Sequence, residues 1–385
     1  MRVLLVAGGG GHFSAALSVI ERMPKEWEIL LIGRKHAFEG DPALSFEYQT
    51  AQHLGLPFLT ITTGRLQRNF SKHSLISLAK MPVGFVQARK IISDYRPDVV
   101  LSFGGYVSVP VVLAAAIQHV PIVLHEQILH AGLANKIAAR FAAKICISWS
   151  ESQQFFPKHK TVLTGNPIRK IFLSSVLASP RSRKAIPDEI DVLFSVARND
   201  EKLIYITGGS GGAHGINLLI EGCLEKLLEK YIVVHQTGDA RAFNDFDRLK
   251  KRRILLPEGL QKRYTLQKFL EPEKVTQILV KADLVISRSG INTVTELLYV
   301  GKPCLLIPLP YGQHNEQLTN ALFVKKIGLA EIVDQLTVTS DVLLQKIEGM
   351  ISHREAYLKH AKQAKTLVHP DAADKIVKEV AAFIL

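Results

Sequence analysis

The residues best suited to chemistry fall at the ends of short apolar runs. Gly8-Gly9-Gly10-Gly11-His12 follows Val3–Ala7, and Gly208-Gly209-Ser210-Gly211-Gly212-Ala213 follows Leu203–Thr207. Glycine has no Cβ, so such turns let backbone N–H groups approach a phosphate, and the positive end of the following helix favours the anion. His12 falls in the first turn of its helix, where it either caps or faces solvent, or points at a bound anion. A third turn, Ser102-Phe103-Gly104-Gly105-Tyr106-Val107-Ser108, has the same strand-to-helix placement. His125-Glu126-Gln127 ends another apolar run and either lines a cleft or turns the chain.

The second half repeats the pattern. Ser287-Arg288-Ser289-Gly290 closes a run, and Glu296 follows in the next helical pattern, where a carboxylate suits either the helix dipole or the two hydroxyls of a ribose. Gln313-His314-Asn315-Glu316-Gln317, then Asn320, follows Cys304–Pro308, and side-chain amides suit the neutral hydroxyls of a sugar. Arg169 can meet a phosphate bidentately or lie on the surface. Asp245-Phe246-Asp247 has metal-diphosphate spacing but lies in the charged stretch 239–262, away from any strand end. The 14 histidines lack zinc-type spacing, so no metal site is expected.

These clusters need strands to end beside one another. Apolar strands are predicted at Val3–Ala7, Ile29–Ile32, Val99–Ser102, Ile122–His125, Lys144–Ile147, Leu203–Thr207, Ile232–Gln236, Leu284–Ser287 and Cys304–Pro308. Helical patterns follow at Val107–His119, Gly132–Ala142, Ala213–Leu228, Ile291–Val300 and Asn315–Ile327. Alternation of this kind predicts an α/β fold with parallel sheets, whose ligands bind at the carboxyl ends of strands. At 385 residues two domains are expected. The boundaries are 1–165 and 166–370, with the turn-rich Thr164–Arg169 as a hinge and a packing helix at 371–385. The polar stretch 178–201 reads as a surface loop.

Forty-eight basic against 35 acidic residues, a net +13, suggests an anionic partner. No aromatic-rich basic motif of a nucleic-acid reader is present, so the anion is expected to be a phosphorylated substrate or lipid. The three cysteines, Cys146, Cys223 and Cys304, lie apart in apolar stretches and read as reduced, buried thiols. The first apolar run is too short for a signal peptide, and no stretch approaches a membrane span. Arg65, Arg68, Lys72 and Lys80 flank Phe70, Leu75, Ile76, Leu78, Met81 and Phe85, a pattern for an interfacial surface over anionic lipid or for a core-facing helix with a basic side.

Taken together, Gly8–His12, Gly104–Ser108, His125–Gln127, Gly165-Asn166-Pro167-Ile168-Arg169, Gly208–Ala213, Ser287–Gly290, Glu296 and Gln317-Leu318-Thr319-Asn320-Ala321 resemble the MurG family of cell-wall N-acetylglucosaminyltransferases, in glycosyltransferase family 28. The likeness covers nearly the whole chain. It implies a GT-B fold, two Rossmann-like parallel-sheet domains facing a central cleft. It also implies inverting transfer of N-acetylglucosamine from UDP-N-acetylglucosamine to a polyprenyl-diphosphate-linked muramoyl-pentapeptide in peptidoglycan synthesis, at the cytoplasmic face of the plasma membrane and peripheral to it. By motif, Glu296 would bind ribose; Ser210, Gly209 and Arg169 the nucleotide diphosphate; Gln317 the donor sugar; and the backbone near Phe269 and Leu270 the uracil. His12 would be the general base. Gly9, Gly10, Gly11, Gly104, Gly105 and Tyr106, with His125 and Glu126, would hold the acceptor. No cofactor is expected.

The chain departs from the family in three places. The first loop lacks the threonine of Gly-Gly-Thr-Gly-Gly-His and is one residue shorter, Ile128 replaces an asparagine, and Glu316 replaces the first glutamine of a pair. The alternatives are a related GT-B transferase with another donor or lipid acceptor, and a non-catalytic binding protein. A UDP-N-acetylglucosamine 2-epimerase is disfavoured because no second carboxylate is placed beside the sugar. A dinucleotide oxidoreductase is disfavoured because no acidic residue caps a second strand after Gly11.

Overall fold

The computed structural model describes residues 1–36, 44–64, 72–177, 190, 201–209, 211–240, 243–311 and 315–383. They form two units, Met1–Lys170 with His369–Leu385, and Ile171–Val368.

The first unit is built on a seven-stranded parallel sheet: β1 (Arg2–Val6), β2 (Glu28–Gly33), β3 (Phe58–Thr60), β4 (Val99–Ser102), β5 (Ile122–Glu126), β6 (Lys144–Ile147) and β7 (Thr161–Leu163). Their order is β3-β2-β1-β4-β5-β6-β7, so the chain reverses direction across the sheet between β1 and β4. Register pairs Val6 with Ile32 on one side and with Ser102 on the other, which brings the ends of β1, β2 and β4 level. Successive side chains point to opposite faces. Val3, Leu5, Leu101 and Val123 enter one core with Phe13 and Trp27, while Leu4, Val6, Val100 and Leu124 enter the other with Ala88, Ile92 and Val111. Burial of both faces is what makes these strands continuous apolar runs.

Helices α1 (Gly10–Ile20), α2 (Phe46–His53), α3 (Lys72–Tyr95), α4 (Ser108–Ile117) and α5 (Leu133–Ala138) belong to this unit, and α6 (Lys170–Leu177) leads into the second, which starts at Ile171. α4 and α5 are shorter than their apolar patterns suggested. Beyond Ile117 the chain turns at His119, whose φ of 56° no helix accepts.

The second unit repeats the plan with β8 (Leu203–Thr207), β9 (Ile232–Gln236), β10 (Tyr264–Gln267), β11 (Leu284–Ser287), β12 (Cys304–Leu306) and β13 (Ala330–Ile332), in the order β10-β9-β8-β11-β12-β13. Its helices include α7 (His214–Lys230), α8 (Asp245–Ile254), α9 (Pro272–Lys281), α10 (Ile291–Val300), α11 (Glu316–Ile327) and α12 (Ser340–Ser352). The final helix, α13 (Ala372–Ala381), returns to the first unit and adds Ala373, Ile376 and Val380 to the core around Phe13. All three cysteines are free and buried. Among the described residues, no helix is long and apolar enough to cross a membrane.

Two expectations change here. The stretch 239–262 is not wholly a surface segment, because it folds as α8 with Asp245 and Leu249 buried. The stretch 178–201 lies almost entirely outside the described residues, as do Arg65, Arg68 and Phe70 of the basic-apolar pattern.

Candidate active site

In the first unit the two glycine turns meet at the reversal point between β1 and β4, where open α/β sheets bind ligands. Gly8 N–H donates to the Gly104 carbonyl at 3.1 Å. A Cβ on Gly105 would lie 2.8 Å from Gly8 Cα, and Gly105 has a φ of 81°, so only glycine permits the approach. Gly9, with a φ of 91°, caps α1, whose first-turn N–H groups have no partner within the helix. Gly9, Gly10 and Gly11 retain solvent access.

His12 lies in the first turn of α1, largely buried, and its Nδ1 has no hydrogen-bond partner. Burial, and next the positive charge of Arg34, lower its pKa to about 4, against a smaller opposing effect from a backbone hydrogen bond to Phe103. At neutral pH the imidazole is therefore uncharged. His125 is fully buried, with its Nε2 3.1 Å from Ser148 Oγ, and burial carries its pKa down to about 3. Glu126 is buried as well. Its carboxylate accepts from the N–H groups of Ile128 at 3.2 Å and Gly132 at 3.1 Å and from Asn135 Nδ2 at 3.0 Å, which fixes the loop after β5. Asn135 also abuts the second turn, since a Cβ on Gly104 would lie 2.5 Å from its Oδ1.

The glycine turn of the second unit leaves β8. Gly209, with a φ of 80°, donates its N–H to Thr207 Oγ1 at 3.0 Å, and its carbonyl accepts from Gly212 N–H at 3.1 Å and Gln236 Nε2 at 3.2 Å. A Cβ on Gly212 would lie 2.1 Å from the Thr237 carbonyl. Ser210 lies outside the described residues, as do Gln313 and His314. Glu296 sits in the second turn of α10, beyond the reach of a first-turn dipole role, and its charge is felt by Tyr205 on β8. The Ser289 and Gln317 clusters come together: Ser289 Oγ donates to the Gln317 carbonyl at 2.7 Å, and Asn320 Nδ2 donates to the Ser289 carbonyl at 3.0 Å. Gln317 Oε1 accepts from Leu309 N–H at 2.9 Å. Phe269 is half-exposed and Leu270 buried, just past β10. Arg169, partly exposed, belongs to the first unit, just before α6 of the second.

Residues 3–147 match the glycosyltransferase family 28 N-terminal domain, and residues 203–376 match its C-terminal domain. A UDP-N-acetylglucosamine--N-acetylmuramyl-(pentapeptide) pyrophosphoryl-undecaprenol N-acetylglucosamine transferase of Clostridium perfringens is 32% identical over 366 residues, covering 94% of each chain. The chain belongs to glycosyltransferase family 28. Among solved structures, Acinetobacter baumannii MurG superposes with a TM-score of 0.71 at 24% identity, over 99% of this chain and all of that one. A UDP-GlcNAc 2-epimerase from Neisseria meningitidis, bound to UDP-GlcNAc, has a TM-score of 0.69 at 17% identity, over 99% of this chain and 100% of its own. At these identities the two structures share the fold alone.

This family 28 chain also carries residues that sequence reasoning missed. Arg34, just past β2, is paired through its Nε with Glu47 Oε1 at 3.1 Å; its side chain is 25% exposed and that of Glu47 1%. The guanidinium is hydrogen-bonded to Tyr106 and lies against the first glycine turn, since a Cβ on Gly9 would be 3.0 Å from Nη2. Thirteen residues separate Arg34 and Glu47, and no local spacing betrays the pair. The second unit hides a polar chain behind its turn. His235 Nε2 donates to Asn217 Oδ1 at 3.0 Å and its Nδ1 accepts from Tyr264 at 2.9 Å. Asn217 Nδ2 donates to the Thr237 carbonyl and to Asp245 Oδ2, while Asp245 Oδ1 lies 2.8 Å from His214 Nδ1 and 2.7 Å from Arg248. Asp245, weighed above as part of a metal motif, is thus already held by three protein partners.

Proposed function

We propose that this transferase moves N-acetylglucosamine from UDP-N-acetylglucosamine to the 4-hydroxyl of a muramoyl-pentapeptide carried on undecaprenyl diphosphate. The observation that carries the reading is the full-length relation to proteins named for that activity, in a chain whose glycine turns sit at the strand ends where such ligands bind. The second unit is assigned the donor. The Gly208–Ala213 turn and the α7 N-terminus face the nucleotide diphosphate, Glu296 the ribose, and the Ser289–Gln317–Asn320 cluster the sugar. The first unit is assigned the lipid-linked acceptor.

In the reaction the acceptor oxygen forms a bond to the anomeric carbon as the bond from that carbon to UDP breaks, inverting its configuration. His12, uncharged at neutral pH, is assigned the hydroxyl proton. Charge developing on UDP falls to the N–H groups of the α7 turn, and the reading needs no cofactor. The acceptor lipid places the protein at the cytoplasmic face of the membrane. The exposed Val83 and Val86 of α3, beside Arg89 and Lys90, offer a basic-apolar surface for anionic lipid.

The test is transfer of radiolabelled N-acetylglucosamine to a short-chain analogue of the lipid acceptor. Label is expected in the lipid product. Label that appears only with UDP-glucose or UDP-galactose would favour the alternative, a related transferase, to which the Ile128 and Glu316 departures lend weight; no label from any donor would overturn both.

A further inference from the structure

A guanidinium that is three-quarters buried beside a fully buried carboxylate is an expensive arrangement. Desolvation offsets most of the attraction within such a pair, so it adds little net stability over apolar residues of the same volume. Its location is therefore informative. Arg34 reaches from the end of β2 to the Gly9 turn at the N-terminus of α1 and is bonded to Tyr106 of the second turn, while Glu47 of α2 holds it from behind. His12, whose buried Nδ1 has no hydrogen-bond partner, lies in the same first turn of α1. The N-terminus of α1, a tethered cation and the His12 imidazole thus converge on one turn.

We propose that Arg34 is the cationic arm of the acceptor-diphosphate site, aimed by Glu47 and set beside His12 so that diphosphate binding and the proton-accepting power of His12 are coupled. The inference rests on the acceptor assignment made above and adds the residue that supplies the charge. Its physics is simple. Burial first, and the positive charge of Arg34 next, disfavour the imidazolium, so the free protein holds His12 as a weak base. A diphosphate on Arg34 cancels that charge and adds its own, and so strengthens His12 as a base only when the acceptor is present. The charged and titratable groups around His12 are Arg34 from β2 and His125 from β5, with Glu47 and Tyr106 acting through Arg34. His125 is itself uncharged at neutral pH.

The test uses the full chain saturated with UDP, so that the donor site is filled, and geranyl diphosphate as the probe. Calorimetry is expected to show Arg34→Ala weakening the probe about tenfold or more, the scale of one charge-assisted contact, with Arg34→Lys in between. Glu47→Gln, which keeps the shape of the side chain, is expected to weaken binding less, and it serves if Arg34→Ala misfolds. UDP affinity should stay the same throughout. Histidine NMR supplies a readout that a merely structural role would not move. The His12 midpoint should rise in free Arg34→Ala; geranyl diphosphate should raise it in the unaltered protein and raise it less in the variant. Unchanged probe affinity in Arg34→Ala, or an unchanged His12 midpoint, overturns the proposal. If transfer to the lipid acceptor is normal while Arg34→Ala binds the probe normally, Arg34 is dismissed and the proposed function stands. If no lipid acceptor is glycosylated but the probe results hold, the diphosphate site stands and the acceptor assignment falls.

Discussion

In the first unit two glycine turns lie on each other, Gly8 against Gly105, whereas in the second a single turn lies on strand-end backbone, Gly212 against Thr237 and Gly238. Both arrangements need glycine, for the same reason of close approach. What stands behind the turns differs. The first unit surrounds its turns with Arg34, Glu47 and two uncharged histidines, His12 and His125, each with an Nδ1 that has no hydrogen-bond partner. The second braces its turn with His235, whose two nitrogens are both bonded, and with an aspartate held three ways. One unit keeps reactive capacity unspent, while the other uses its polar groups to hold a shape. That contrast fits a proton-accepting role for the first and a holding role for the second.

The largest effect expected from this contrast is catalytic. His12→Ala should lower turnover roughly 10²–10⁴-fold, the range of general-base assistance, and leave UDP-N-acetylglucosamine affinity unchanged by calorimetry. The corresponding change in the second unit, His235→Ala, should act on stability instead of on the chemical step. Next come the glycines. Gly105→Ala and Gly212→Ala should each cost at least about 2 kcal/mol in denaturant unfolding, because backbone blocks the new Cβ and the φ is positive. Gly11→Ala, with nothing within 4 Å, should be nearly silent. Equal tolerance at all three positions would remove the close-approach argument.

Acidification separates the units less sharply. His12, His125 and His235 all have folded pKa values below the unfolded value, so the unfolded chain binds the extra protons. Stability should be full above about pH 6.5 and fall as pH drops toward 4, with a slope of up to about 1.4 kcal/mol per unit for each histidine. Two of the three lie in the first unit, which should lose structure first in pH-dependent hydrogen exchange. The bracing asparagines separate the two units by stability. Asn217→Ala strands partners on His235, Thr237 and Asp245 and should cost about 2–3 kcal/mol, whereas Asn135→Ala should cost about 1 kcal/mol. A reversed order would mean that the first unit depends on its braces more than the second.

How much of this was legible in the sequence follows from burial. Val99–Ser102, Lys144–Ile147, Leu203–Thr207, Ile232–Gln236 and Leu284–Ser287 are strands to the residue, because inner strands of a parallel sheet are apolar on both faces. The four strands that went unread, β3, β7, β10 and β13, are the four sheet edges. Phe58–Thr60 and Thr161–Leu163 have no buried residue at all, and three-residue edges carry no period to detect. At the site, glycine turns announce themselves locally, so Gly8–His12 and Gly208–Ala213 were found. Arg34–Glu47 and His235–Asn217–Asp245 were not, because each joins residues that only the sheet order brings together.

The central claim is that His12 is uncharged and available at neutral pH. Histidine-selective NMR of the full chain, titrated without ligand, measures this directly. The account predicts a His12 midpoint near 4; a midpoint near 6.5, the value of an unperturbed imidazole, would contradict it.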